Sequence, residues 1–258
     1  MKKKLCLLAV LPLTVLSSCG GAPEISDPAE IEKAINHIAE NAPGIWNYEL
    51  LIEAEETSFD GAKQKNVTVK SKATFEQKSN GSGHYHFVGD REGEKIEVDM
   101  LSFRGTRESA LGMSYYWRIL KPEKELSEDE TKEIYKVAST VNAYAPEYAW
   151  EFMYIKNFEK HFISRSESVK YFSEGEGNLT IKVDRVIWTD DNDSSKKDVA
   201  RYTVHYDENT FKWVCLEEIS HTNTKSTYNI RMNPKDEITI ELPSDWQSLG
   251  YEKFEVNY

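Results

Sequence analysis

The sequence predicts an α+β fold in which a large curved antiparallel sheet carries two or three helices on one side. Three observations predict it. Most of the chain alternates apolar and polar residues with a period of two, in segments separated by Gly, Asn, Asp and Ser turn signals. Two stretches depart from that pattern and space their apolar residues three and four apart. No internal repeat or long low-complexity linker divides the 258 residues, so one domain is expected to hold both kinds of element.

The chain opens with Lys2, Lys3 and Lys4, followed by an apolar run from Leu5 to Leu16 interrupted by Pro12 and Thr14. A basic start and a short apolar run describe a secretory leader. The run is about 12 residues, short of the roughly 18–20 that cross a bilayer as a helix. Its ending, Leu16-Ser17-Ser18-Cys19, resembles a bacterial lipobox, in which the cysteine receives a thioether-linked diacylglycerol and becomes the first mature residue. The expected organisation is a leader over residues 1–18, a lipidated tether over 19–26 beginning at Cys19, and one domain over 27–258. Glycine rather than aspartate follows Cys19, which favours an outer-membrane anchor facing the periplasm or the cell surface.

Asp27-Pro28 supplies an N-cap and a first helical residue, and Ile31, Ile35 and Ile38 follow at helical spacing. The period then becomes two. Tyr48, Leu50, Ile52 and Ala54 form one apolar face, then Val67, Val69, Ala73 and Phe75, then Ile96, Val98 and Met100. "SYYWRIL" at Ser114–Leu120 closes this run. Ser127 and Glu130 have the spacing of a capping box ahead of the stripe Ile134, Val137, Ala138 and Val141. Pro146 ends that helix, and a short turn with Tyr148, Trp150 and Phe152 follows. Strands resume at Leu179-Ile181-Val183 and Tyr202-Val204-Tyr206. They continue through "FKWVCLEEIS" to Tyr228–Met232 and Ile238–Leu242.

Composition narrows the function classes. Net charge is −12, and loss of the leader leaves 29 bases against 44 acids, or −15. A field of that sign repels nucleic acid and anionic membrane surfaces, so the bilayer is expected to be reached through the lipid and not through charge. Cys6 lies in the leader and Cys19 is the anchor, which leaves Cys215 with no partner for an internal disulfide. Cys215 reads as a small buried hydrophobe rather than a nucleophile. "HYH" sets His84 and His86 on one strand face, but two imidazoles need a further ligand and none comes at a recognisable spacing, so no metal is expected. "DDNDSSKKD" at Asp190–Asp198 lacks the sixth-place Gly and twelfth-place Glu of a calcium loop and reads as a hairpin tip. There is no GxSxG, phosphate loop or HExxH. The chain is therefore read as non-catalytic and without a cofactor.

In order of elements the mature chain resembles the periplasmic lipoprotein-carrier superfamily, which includes LolA and LolB carriers, LppX-type lipid-binding lipoproteins and RseB-type sensors. The similarity rests on "YYWRIL" at Tyr115–Leu120 ahead of the helical insert. It rests also on the ending "VHYDENTFKWVCLEE … STYNIRMN … ITIELPSDW". The resemblance implies a half-open β-barrel with helices as a lid over an apolar cavity that holds a lipid or lipoprotein acyl group. Tyr115, Trp117, Ile134, Val137, Val141, Trp150 and Phe152 are the residues expected to plug or line that cavity. The alternatives are a sensor or scaffold that holds a protein partner, and a surface carbohydrate binder using exposed aromatics.

Overall fold

A computed structural model describes residues 22–41, 47–61, 64–104, 113–138, 154–175, 177–190, 193–208, 212–221 and 224–256. The described residues build an α+β fold. Its strands are β1 (Glu24–Ile25), β2 (Tyr48–Asp60), β3 (Lys65–Gln77), β4 (Gly83–Arg91), β5 (Glu94–Arg104), β6 (Met113–Lys121), β7 (Ser168–Ser173), β8 (Asn178–Asp190), β9 (Asp193–Asp207), β10 (Lys212–His221), β11 (Thr224–Pro234) and β12 (Glu252–Val256). Its helices are α1 (Pro28–Asn41), α2 over 128–138 and α3 (Ile155–His161), with a 3-10 turn at Ile163–Arg165.

All twelve strands join one open antiparallel sheet in the order β1-β7-β8-β9-β10-β11-β2-β3-β4-β5-β6-β12. Two five-stranded meanders, β2 to β6 and β7 to β11, account for most of it. They meet where β11 pairs with β2, from Lys225↔Thr57 to Pro234↔Tyr48. The period-two pattern explains the faces. Tyr48, Leu50, Ile52 and Ala54 are buried on β2, and Val67, Ala73 and Phe75 on β3; Ile96, Val98 and Met100 follow on β5. Side chains of alternate residues share a face, so these form one apolar floor.

The three helices lie on that floor. Asp27 Oδ1 accepts from the Ala29 N–H at 2.9 Å and starts α1, which buries Ile35 and Ile38. α3 buries Ile155 and Phe158, and Phe158 stacks on Phe162 at 5.2 Å. Phe162 in turn meets the edge of Tyr202 at 5.2 Å, which ties this helix to β9. α2 lies toward the other meander, where the Tyr85 hydroxyl donates to the Ala138 carbonyl at 2.9 Å. That bond satisfies a carbonyl late in the helix.

The structure corrects the sequence reading at four places. The expected tether over 19–26 is too long, because Glu24 and Ile25 already pair with Phe172 and Tyr171, and Ile25 is buried. β7, "SVKYFS", has too weak an alternation to be read as a strand. Ile238–Leu242 is not a strand. It crosses the outer face of the sheet, where Ile238, Ile240 and Tyr251 bury Leu101 in a second small core. Its alternation is real, but it reflects packing on a sheet face and not ladder pairing. The last strand is instead β12, which pairs with β6 from Glu252↔Trp117 to Val256↔Met113. The outer face of β5 is consequently covered rather than wet along part of its length.

Gly89 shows how tightly the floor is filled. A β-carbon there would lie 2.8 Å from Cε1 of the fully buried Phe87 ring. Gly89→Val is expected to destabilise the protein by about 1–3 kcal/mol through overpacking. The check is a lower urea midpoint; an unchanged midpoint would show that the ring has room to move.

Candidate functional site

Alternation along β6 divides its aromatic run between two faces. Tyr115, Trp117 and Ile119 pack against the floor under the helices, whereas Tyr116 joins the outer cluster. Trp117 and Tyr115 are half-buried, and Trp117 meets the ring of Tyr135 on α2 edge-on at 5.4 Å. α2 is positioned by its capping box. The Ser127 N–H donates to Glu130 Oε2 at 2.9 Å, and the Glu130 N–H donates to Ser127 Oγ at 3.3 Å. With that start fixed, α2 turns Ile134 fully inward and Val137 partly so.

Ile134 and Val137 line a cleft of about 150 Å³ between α2 and the end of the β4–β5 hairpin. Ile96 and Leu126 complete its apolar floor. The rim is charged, with Arg91–Glu133 at 3.1 Å and Lys124–Glu130 at 2.8 Å. Tyr115 and Trp117 belong to the same core but are not among the residues lining this cleft. Cys19, Val141, Trp150 and Phe152 lie outside the described residues.

A second cleft, of about 220 Å³, separates α1 from the β7–β8 turn and was not foreseen from the sequence. Ile25, Ala34, Ile38 and Leu179 form its apolar part. A third hollow, about 450 Å³, lies on the outer face over β11, β2 and β3. It is lined by cross-strand ion pairs, Lys72–Glu53 at 2.7 Å and Lys70–Glu55 at 3.4 Å, and reads as a solvated sheet face.

The paired histidines face outward into a carboxylate network. His84 Nε2 lies 2.6 Å from Asp99 Oδ1, and Glu76 stands 3.7 Å from its other nitrogen. His86 Nε2 is 3.0 Å from Glu97. Asp99 Oδ2 also accepts from Arg118 Nη2 at 2.9 Å, from Arg118 Nε at 3.1 Å and from the Tyr251 hydroxyl at 2.5 Å. The Arg118 guanidinium sits 4.4 Å from the Tyr251 ring centroid. Burial works against the charge on Asp99, but the hydrogen bonds from His84, Tyr251 and Arg118 outweigh it and hold the carboxyl at about 2. The hydrogen bond to Asp99 raises the His84 pKa against its own burial, helped by the charges of Asp99 and Glu76. Among the described residues no group of three or more His, Cys, Asp or Glu is placed to hold a metal ion. Cys215 is fully buried on β10, and burial pushes its thiol well up. The Asp190–Asp198 stretch spans the β8–β9 hairpin, whose tip at 191–192 lies outside the described residues.

No protein-family profile matches the chain, and no curated protein matches it. Among solved structures the chain is similar to an S-type phycobiliprotein lyase, CPES, from Guillardia theta. Identity is 6%, over 81% of this chain and 94% of that one, with a TM-score of 0.21. A score that low lets neither the fold nor the activity of that protein bear on this chain.

The Asp99 network sets two pH windows. The His84 contribution to stability is full below about 6.5 and is lost as pH rises through its elevated folded value. The Asp99 contribution is full above about 3.8 and is lost as pH falls toward 2. The gap in urea midpoint between the native protein and His84→Gln is therefore expected to be widest near pH ~6 and to close at alkaline pH. Asp99→Asn is expected to cost about 2–3 kcal/mol at neutral pH. A midpoint gap independent of pH would refute the assignment to His84.

Proposed function

We propose that this chain is a non-catalytic, lipid-anchored protein of the bacterial envelope that binds a lipid or acyl group beneath its helices. In this reading residues 1–18 are removed and Cys19 carries the lipid. The domain stands at the outer membrane, facing the periplasm or the cell surface. Its sheet is a half-open barrel of the LolA and LppX kind. The observation that carries the reading is the placement of α1, α2 and α3 on one apolar face of a single sheet made of two meanders. Helices in that position leave clefts at their margins, and the two apolar ones are lined from the same face. The half-buried rings of Tyr115, Trp117 and Tyr135 offer a place where acyl groups can enter between sheet and helix. Among the described residues no helix is long and apolar enough to cross a membrane.

A second reading, a sensor or scaffold that holds a protein partner, draws on the β8–β9 hairpin. β7 leaves β8 at Ser168↔Asp184, and β10 leaves β9 at Ser220↔Val199, so the hairpin runs on past both neighbours. On that overhang Ile187 is 45% and Trp188 42% exposed, at a register shift. Exposed apolar groups on a projecting arm are suited to docking.

Native mass spectrometry of the chain purified gently from an envelope fraction, followed by lipid extraction, separates the readings. A stoichiometric lipid beyond the covalent anchor is expected. Trp117→Ala with Tyr135→Ala is expected to lower lipid uptake about tenfold, equivalent to roughly 1.4 kcal/mol. An apo mass with no uptake of added lipid would sink the carrier reading and favour the scaffold.

A further inference from the structure

The cleft beside α1 lies where the chain enters the fold. The Ser173 N–H donates to the Pro23 carbonyl at 3.2 Å, and Ile25 then pairs with Tyr171. Pro23 and Ile25 both line the cleft, together with Ala34, Ile38 and Leu179. Its polar margin holds Glu30, Lys33, His37 and Asn178. The walls are fixed by more than packing. Gly177, at φ +90°, lets the β7–β8 turn fold back against Glu208; a β-carbon there would lie 2.2 Å from Glu208 Oε1. Glu208 Oε2 in turn stands 2.8 Å from His37 Nε2 on α1. The turn, Glu208 and α1 thus hold the cleft at a set width.

We propose that this cleft takes an acyl chain, and that its occupant is one of the chains carried on Cys19 of the same molecule. The proposal rests on the lipid-anchor reading above. Cys19 precedes Pro23 by four residues, a span of at most about 14 Å in an extended chain. A group on so short a tether faces the cleft at an effective concentration in the millimolar range, which a free lipid must outcompete. The cleft holds about 220 Å³, some seven times the ~30 Å³ that a water occupies in the liquid. That accommodates one stretch of methylenes and not a whole diacyl group. A neutral acyl chain also avoids the repulsion that a mature chain of net charge −15 imposes on anionic lipids. Docked in this way, the lipid orients the domain. The end of the sheet where β8 begins faces the bilayer, and the β2–β3 and β4–β5 turns point away from it.

The test uses cells fed a fatty acid bearing a diazirine, which enters the Cys19 lipid, followed by irradiation and peptide mapping of the purified full chain. Crosslinks from Cys19 to peptides containing Ala34–Ile38 or Gly177–Leu179 are expected. Ala34→Trp, which fills the cleft, is expected to reduce them at least fivefold with an unchanged thermal melt. Crosslinks from a lipidated Cys19 to bilayer lipids alone would overturn the proposal while leaving the anchor intact. An intact mass without lipid on Cys19 would overturn the anchor reading itself, and the proposal with it. Free labelled fatty acid captured in the cleft of the Cys19-lipidated protein, with no crosslink there from Cys19, would overturn the chain's own lipid as the occupant and assign the cleft to a diffusible one.

Discussion

The pairing of β11 with β2 is the constraint on which the rest of the sheet depends. It joins two meanders, each held by local hairpins, that would otherwise be separate ribbons with two more open edges. The seam carries the centre of the floor, with Leu50 and Ile52 on one side and Ile230 and Met232 on the other, all nearly inaccessible. Register there is reinforced by side chains. The Tyr228 hydroxyl donates to Glu56 Oε1 at 2.5 Å across 172 residues of sequence, and Asn233 Nδ2 donates to Glu49 at 3.0 Å. A one-residue slip at the seam would turn Ile230 and Met232 toward solvent. Because the pairing joins distant parts of the chain, it carries a larger loop-closure cost than the hairpins within each meander.

The outer face is held by a different kind of contact. The segment after β11 leaves the seam, with the Lys235 N–H donating to the Asn47 carbonyl at 3.0 Å, and crosses to β5 and β6 before ending in β12. Apolar packing of Ile238, Ile240 and Trp246 accounts for part of its hold. The β12–β6 ladder adds to it, and so does one carboxylate, Asp99, which accepts from Tyr251 of this segment as well as from His84 and Arg118. A buried charge is tolerable there because every donor around it is charged or strongly polar.

Much of this fold was legible in the sequence because its signals are local. The alternation on β2, β3 and β5 fixes both element and face. Ser127 and Glu130 mark the start of α2, since the capping box is a contact between neighbours. What was not legible depends on distant partners. The two-residue β1 is a strand only because β7 lies beside it, and β7 itself carries a weak pattern. Ile238–Leu242 alternates as a strand does, yet packs flat on a sheet face, and period two cannot tell these apart. The burial of Asp99 is invisible until Tyr251 and Arg118 are brought to it. At the candidate site the split face of β6 was readable from Tyr115 and Trp117. The cleft at α1 was not, because its walls come from Ile25, Ala34 and Leu179 on three different elements.

Cys215 gives the sheet a clock. It sits on β10 between Val204 of β9 and Ile230 of β11, without solvent access, and burial keeps its thiol protonated. Neither an oxidant nor a partner thiol reaches it until the core packed over this face of the sheet opens. Before β9, β10 and β11 assemble, the same sulfur is open to any disulfide exchange in its surroundings. The chain thus has a single interval of redox vulnerability at this residue, and that interval ends when the core closes over the second meander.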